Sequence, residues 1–214
     1  MSDARTDEAV LEAYRSGEAG ALEVLIRRYH DDVMRFLYRL LGDRNSAEDV
    51  FQETFLQIHL SADTFDASRR FKPWLFTIAA NKARDHLRRS SRRRTLDLSA
   101  PVPGKGGSSG GGGDSDGPAF VDLLQIHAPS PGEVADLAER DKLVQRAISE
   151  LPLTLREVLL LAYFQRQSYN DIAESLQIPL GTVKSRLHAA VAAFARRWQQ
   201  VSGTDTPDRG GRVA

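Results

Sequence analysis

Residues 100–118, APVPGKGGSSGGGGDSDGP, hold one large aliphatic side chain, Val102, among Gly, Ser, Pro and Asp. Such a composition buries no core and behaves as flexible coil. A chain of 214 residues interrupted in this way has to fold as two blocks, one on each side. We place a first domain at 1–96, a flexible acidic and Gly-rich linker at 97–132, a second domain at 133–200 and a polar, disordered tail at 201–214.

Both blocks read as helical. Leu22, Leu25, Ile26, Tyr29, Val33, Phe36, Leu37 and Leu40 follow the three-four spacing of a one-sided helix, with Gly42 as its stop. Ser46 with Asp49 has the spacing of a capping box and opens a helix with an apolar face of Val50, Phe51, Thr54, Phe55 and Ile58. Residues 63–70 are polar and read as a loop. Pro73 suits a first helical turn, and Trp74, Leu75, Ile78, Ala79, Ala83 and Leu87 carry that helix into arginines ending at Arg94. In the second block, Leu137, Leu143, Val144, Ala147 and Ile148 form an apolar stripe beginning near Glu133. Thr154 with Glu157 predicts a capped helix through Phe164, and Ser168 with Asp171 predicts a short one to Leu176. Pro179 and Thr182 stand near the start of a last helix reaching Trp198. No segment alternates with the period of a strand, so the expected fold class is all-α.

Residues 169–188, YNDIAESLQIPLGTVKSRLH, read as helix, tight turn and second helix. That is a helix-turn-helix, whose second helix enters the DNA major groove. Ile172, Ala173, Leu176, Ile178, Val183, Leu187 and Ala190 would pack inward, which leaves Thr182, Lys184, Ser185, Arg186 and His188 on the outer face. Lys and Arg reach phosphates or guanine edges, and Ser can bond either. The plainer alternative is a helical hairpin with a solvated basic face. Upstream, residues 69–94 hold ten Lys/Arg against one acid, Asp85, with Phe65, Phe71, Trp74 and Phe76 within or just before them. Cations beside aromatics suit single-stranded nucleic acid, whose bases stack on rings. Against this stands an ordinary solvated patch, with Trp74 and Phe76 as core. On the 47–59 helix, Glu48, Asp49, Gln52, Glu53 and Gln57 make either a solvated face or a docking surface for a basic helix.

Other chemistries find no positive signal. Basic and acidic residues balance at 29 each, so only their distribution speaks about partners. Without cysteine there is no disulfide, thiolate nucleophile or Cys-based zinc site. GKGG at 104–107 lacks the Lys-Ser/Thr and helix start of a phosphate loop, and the five histidines have no ligand spacing. No catalytic residue, metal or cofactor is expected. The N-terminus, MSDARTDE, lacks the regions of a signal peptide. The longest apolar run, 158–164, is too short to span a bilayer. A cytoplasmic protein without membrane insertion is expected.

Taken in order, SAEDVFQETFLQIH at 46–59, FKPWLFTIAANKARDHLRR at 71–89 and LPLTLREVLLLAYFQRQSYNDIAESLQIPLGTVKSRLH at 151–188 resemble the extracytoplasmic-function (ECF) sigma factors. These are two-domain initiation subunits of bacterial RNA polymerase. The resemblance implies a region 2 bundle and a region 4 helix-turn-helix joined by the Gly-rich linker. It implies that the 46–59 helix docks on the clamp of the largest polymerase subunit, with Asp49, Gln52, Glu53 and Phe55 as candidates. It also implies that the following segment recognises and melts the −10 promoter element, with Arg69, Arg70, Phe71, Trp74, Asn81, Arg84 and Arg88 as candidates and 66–71 in the place of a flipped-base loop. The −35 element would be read as duplex by Thr182, Lys184, Ser185, Arg186 and His188. An anti-sigma factor is a further implied partner. Two positions depart from the family pattern. Ala189-Ala190-Val191 replaces a basic continuation, and Ala80 stands where a longer polar residue is frequent. A stand-alone helix-turn-helix regulator and a nucleic-acid enzyme are the rival readings.

Overall fold

The computed structural model describes residues 4–18, 20–97 and 133–202. From residue 98 the expected linker lies outside the described residues, as does the tail from 203 and the side chain of Leu137. Among the described residues the chain forms eight α-helices and no strand.

The first half opens with a helix outside the segments assigned above, α1 (Asp7–Arg15). Thr6 caps it, with its side chain accepting the Ala9 N–H at 3.3 Å, and Val10 and Leu11 are fully buried. The long one-sided helix is α2 (Ala21–Leu41). Gly42 ends it at φ +90, a left-handed turn in which its N–H donates to the Tyr38 carbonyl. Helix α3 (Arg44–Ser61) starts two residues before Ser46. Its cap is Asp43, whose carboxylate accepts the Ser46 N–H at 2.7 Å, so Ser46 and Asp49 do not form a capping box. A single 3₁₀ turn, Ala62–Thr64, leads to the loop before α4 (Phe71–Asp97). Helices α2, α3 and α4 enclose an aromatic core in which Phe36 meets Phe76 edge-on at 5.3 Å and Phe71 packs on Tyr29 at 5.6 Å.

The second half comprises α5 (Glu133–Ser149), α6 (Leu153–Leu159), α7 (Tyr169–Leu176) and α8 (Leu180–Ser202), the last running four residues beyond Trp198. Helix α6 begins behind Pro152 with no side-chain cap, so the Thr154–Glu157 box is absent. Its continuation, Leu160–Phe164, widens into a π turn, and the chain reverses beyond it. The Ser168–Asp171 box is present as expected. Gln177 closes α7 at φ +53, and Ile172, Leu176, Val183, Leu187 and Ala190 are buried between α7 and α8.

The two halves pack directly on one another rather than hanging loosely. Ser175 on α7 donates to the Pro73 carbonyl on α4 at 3.1 Å, and Gln165 donates to the Asp32 carbonyl on α2 at 3.0 Å. Arg156 on α6 donates to the Leu40 carbonyl at 2.7 Å. Arg39 on α2 pairs with Asp141 on α5 at 2.6 Å and lies over the Phe164 ring.

The observed start of α3 has a measurable consequence. Asp43→Ala is expected to lower the unfolding free energy by about 1 kcal/mol. Asp49→Ala, which removes the carboxylate a capping box would need, should leave it within about 0.3 kcal/mol. Urea denaturation followed by circular dichroism checks both, and equal losses would reverse the assignment of the cap.

Candidate nucleic-acid interface

The segment 66–70 is entirely exposed but not shapeless. Asp66 Oδ1 accepts from the Ser68 N–H at 2.9 Å and the Ser68 hydroxyl at 2.7 Å. The Arg69 N–H donates to the Asp66 carbonyl at 2.9 Å. These bonds to the Ser68 side chain and backbone hold the Asp66 carboxyl below the usual carboxylate range. Buried rings stand at both ends of the loop. Phe65 lies 4.8 Å from Trp74 and 6.4 Å from Phe71, centroid to centroid. Trp74 is half-buried against this floor and keeps a partly open face. Phe71 is fully buried, so it shapes the loop and has no surface for a base. Phe76, the other ring of the basic segment, is core.

About two turns beyond Trp74 along α4, Asn81 is exposed. Its Oδ1 accepts from Arg84 Nη1 at 2.7 Å, while Arg84 Nε donates to Glu157 Oε1 on α6 at 2.6 Å. Arg69 pairs with Glu174 at 2.8 Å, and Arg70 pairs with Asp171. Three of the candidate arginines are therefore engaged by carboxylates of the second half. Arg88 is exposed and pairs with Asp85 on its own helix. Ala80 is fully buried, so the longer residue common at that place would have no room.

On α8, Lys184, Ser185 and His188 are exposed, and Thr182 and Arg186 are half-buried. The Ser185 hydroxyl donates to the Thr182 carbonyl at 3.2 Å. Of the residues that replace the basic continuation, Ala189 is exposed and Val191 is half-buried. Glu157 is only 2% exposed, and burial pushes its carboxyl above the usual range against the opposing pull of Arg84, Arg186 and Arg156.

The face of α3 differs from the expected one. Asp49 and Gln52 are exposed, and Glu53 pairs with Arg89 at 3.1 Å. Phe55 is 5% exposed and packs on Phe51 at 4.9 Å; it belongs to the core and offers no docking contact. Leu56 and Leu60 are exposed instead, at 58% and 67%. With Asp49 and Glu53 they share one face, in steps of three and four. The signal for them was present, since both leucines lie off the apolar face that Val50, Phe51, Thr54, Phe55 and Ile58 define. Among the described residues no acidic or His cluster could hold a metal, and no helix is long and apolar enough to cross a membrane.

The family model for Sigma-70 region 2 matches residues 25–93, and that for Sigma-70, region 4 matches residues 141–194. The ECF RNA polymerase sigma factor SigW of Bacillus subtilis is 30% identical over 86% of the chain and 91% of its own length. The RNA polymerase sigma-H factor of Pseudomonas aeruginosa is also 30% identical, over 90% of the chain and 94% of its own length. The fold is shared with CnrH, solved with the cytosolic domain of CnrY, at a TM-score of 0.60 and 22% identity over 89% of the chain and 95% of CnrH. It is shared also with the sigma factor RpoE of Bartonella quintana, solved with the anti-sigma factor NepR, at 0.60 and 21% over 87% and 99%.

The buried carboxyl generates a prediction of defined sign. A glutamate whose folded value is raised binds its proton more tightly in the native state. Its contribution therefore favours folding at low pH and is lost as pH rises from the ordinary glutamate range through the raised value. Glu157→Gln cannot ionise. Its stability relative to the wild type should improve steadily across that window, as read by urea denaturation at stepped pH. A difference that is flat with pH would contradict the burial effect.

Proposed function

The chain belongs to the ECF family of RNA polymerase sigma factors and is an alternative sigma factor; we propose that it meets core polymerase through α3, captures the −10 element at the start of α4 and reads the −35 duplex with α8. The observation that carries this reading is the loop 66–70, held in shape on the Phe65–Phe71–Trp74 floor, with Asn81 exposed about three turns beyond it along α4. A shaped loop beside a half-open ring suits an unstacked base, because the pocket then repays the cost of extruding it. Arg69, Arg70, Arg84 and Arg88 supply charge along the backbone of that strand. Lys184, Ser185 and His188 face outward from α8 as base or phosphate contacts, flanked by Thr182 and Arg186. Because Arg69, Arg70 and Arg84 are paired with Glu174, Asp171 and Glu157, engaging phosphate requires those partners to be exchanged.

On α3 the docking face is Asp49, Gln52 and Glu53 with the exposed pair Leu56 and Leu60, an acidic and apolar stripe suited to a basic, amphipathic polymerase helix. The protein contributes no catalysis of its own and works in the cytoplasm, where polymerase and promoter are. RpoE of Bartonella quintana was solved with the anti-sigma factor NepR, and an anti-sigma factor is the regulator proposed here.

Leu56→Ala with Leu60→Ala should weaken capture of core polymerase in a quantitative pull-down by ~10-fold or more, since each exposed leucine carries roughly 1–2 kcal/mol of burial on docking. Stability should barely change, because both side chains are already in water. Undiminished capture would place the docking surface elsewhere.

Asn81→Ala should leave that capture intact and impair strand opening, with ~1–3 kcal/mol lost per base contact. Permanganate reactivity at the −10 region of a promoter complex reads this directly, and normal reactivity refutes the role. In the same complexes, Lys184→Ala with Arg186→Ala should reduce footprint protection of the −35 element.

A further inference from the structure

We infer that α1, which precedes the residues that the Sigma-70 region 2 model matches, positions the −10-reading loop by gripping it at both ends, with Glu8 at its downstream end and Arg15 at its upstream end. The inference rests on the assignment of 66–70 as that loop. Glu8 Oε1 accepts the backbone N–H of Phe71, the first residue of α4, at 2.8 Å. A helix leaves its first N–H groups without intrahelical partners. In α4 Pro73 has no N–H to offer, so Phe71 and Lys72 carry the exposed donors of the first turn. A carboxylate there satisfies one donor and complements the positive end of the helix. The cap comes from 63 residues away in sequence, so it couples two helices rather than closing one.

Arg15 stands two turns along from Glu8, on the same face of α1. Its Nη2 donates to the Asp63 carbonyl at 3.4 Å, and its Nε lies 4.0 Å from Asp63 Oδ1; the same guanidinium holds Glu12 at 2.8 Å. One rigid helix therefore touches the chain just before the loop and just after it. The helix is itself anchored. Asp7 accepts from the Tyr29 hydroxyl and from Arg28 on α2, and Tyr14 hydrogen-bonds His59 on α3. Burial and the Asp7 carboxylate push the Tyr29 hydroxyl far up, so it remains a donor at any working pH. Val10 and Leu11 are fully buried beneath the helix. The span and entry angle of 66–70 thus follow from the distance between two side chains on α1. A base pocket tolerates little drift, so a loosened loop should lose discrimination before it loses affinity.

The test uses the full-length chain reconstituted with core polymerase and a set of promoters carrying each base in turn across the −10 element. Run-off transcription gives the ratio of best to worst base at each position, and core capture is measured beside it. Glu8→Ala is expected to narrow that ratio by about fivefold, the scale of a lost cap, with core capture unchanged. Glu8→Gln should restore it, because the amide oxygen accepts the same N–H. Arg15→Ala should narrow it by about twofold, since its contact is longer. Asp66→Ala with Ser68→Ala alters the loop itself. If those loop changes narrow the ratio and Glu8→Ala does not, α1 has no positioning role and the loop assignment stands. If the loop changes leave every ratio intact, the assignment falls and the inference with it. A Glu8→Ala chain that does not fold moves the test to Arg15→Ala, where narrowed ratios sustain the inference and unchanged ratios overturn it.

Discussion

A carboxylate with almost none of its surface in water has to be met by a cation, and Glu157 on α6 meets Arg84 on α4. The pair joins residues 73 positions apart and fixes how the second half sits on the first. Its worth is registry more than stability. At Glu157 desolvation outweighs the attraction of the arginines, while a single misplaced partner would leave a charge buried alone. Register follows outward from this point. Arg84 also donates to Asn81, so the side chain proposed to open the promoter is oriented by the same guanidinium.

Around the ion pair the seam carries hydrogen bonds beside the apolar contacts that join the two halves. The last turn of α2 ends in carbonyls with no intrahelical donor. Gln145 donates to those of Tyr38 and Arg39, and Arg156 places a cation at that of Leu40, where the helix is negative. Other atoms there are less well served. Arg39 Nη1, Gln145 Oε1, Arg156 Nε, Gln165 Oε1 and Gln167 Nε2 are buried and find no partner among the described residues. Each such atom costs on the order of 1–3 kcal/mol. The contrast with the aromatic core of α2, α3 and α4 is physical. That core loses only by opening, whereas the seam recovers hydration when it opens. A boundary of exchangeable ion pairs suits the proposed transfer of Arg69, Arg70 and Arg84 from carboxylates to phosphates.

What the residues disclosed beforehand and what they hid have one cause, the range of the interactions involved. Helices α2 to α8 announced themselves because apolar spacing and the Ser168–Asp171 box are local. Helix α1 went unread although Val10, Leu11 and Tyr14 line one face, because it spans only 9 residues. Spacing also misjudged two caps, because Asp43 reaches Ser46 first and Pro152 opens α6. Among the site residues, Phe55 and Phe71 were read as contacts and are core. An aromatic near a functional segment is ambiguous until its neighbours are known, and here those neighbours, Phe51, Tyr29, Phe65 and Trp74, come from several elements. Leu56 and Leu60 were readable as apolar residues off the apolar face. The pairing of Arg69, Arg70 and Arg84 with the second half was not readable at all, since it spans the 98–132 interval.

Helix α4 shows why one departure from the family pattern, Ala80, is compatible with the family's task. Its period places Phe71, Leu75, Phe76, Ala79, Ala80 and Ala83 in the core and leaves Asn81 and Arg88 outside, with Arg84 at the boundary. Three small residues in that run let neighbouring helices approach closely, and Ala80 is among them. A long polar side chain there would have to displace packed atoms or be buried unpaired, at a cost exceeding any one base contact. On α8 the departing residues are Ala189, which is exposed, and Val191, which is half-buried, so packing does not account for the charge absent there. At Ala80 close packing leaves no room for a longer side chain, and recognition falls to residues that point outward from a rigid helix. Rigidity is what a reader of single strands needs, because a base held out of its stack repays the cost only if the pocket is already formed.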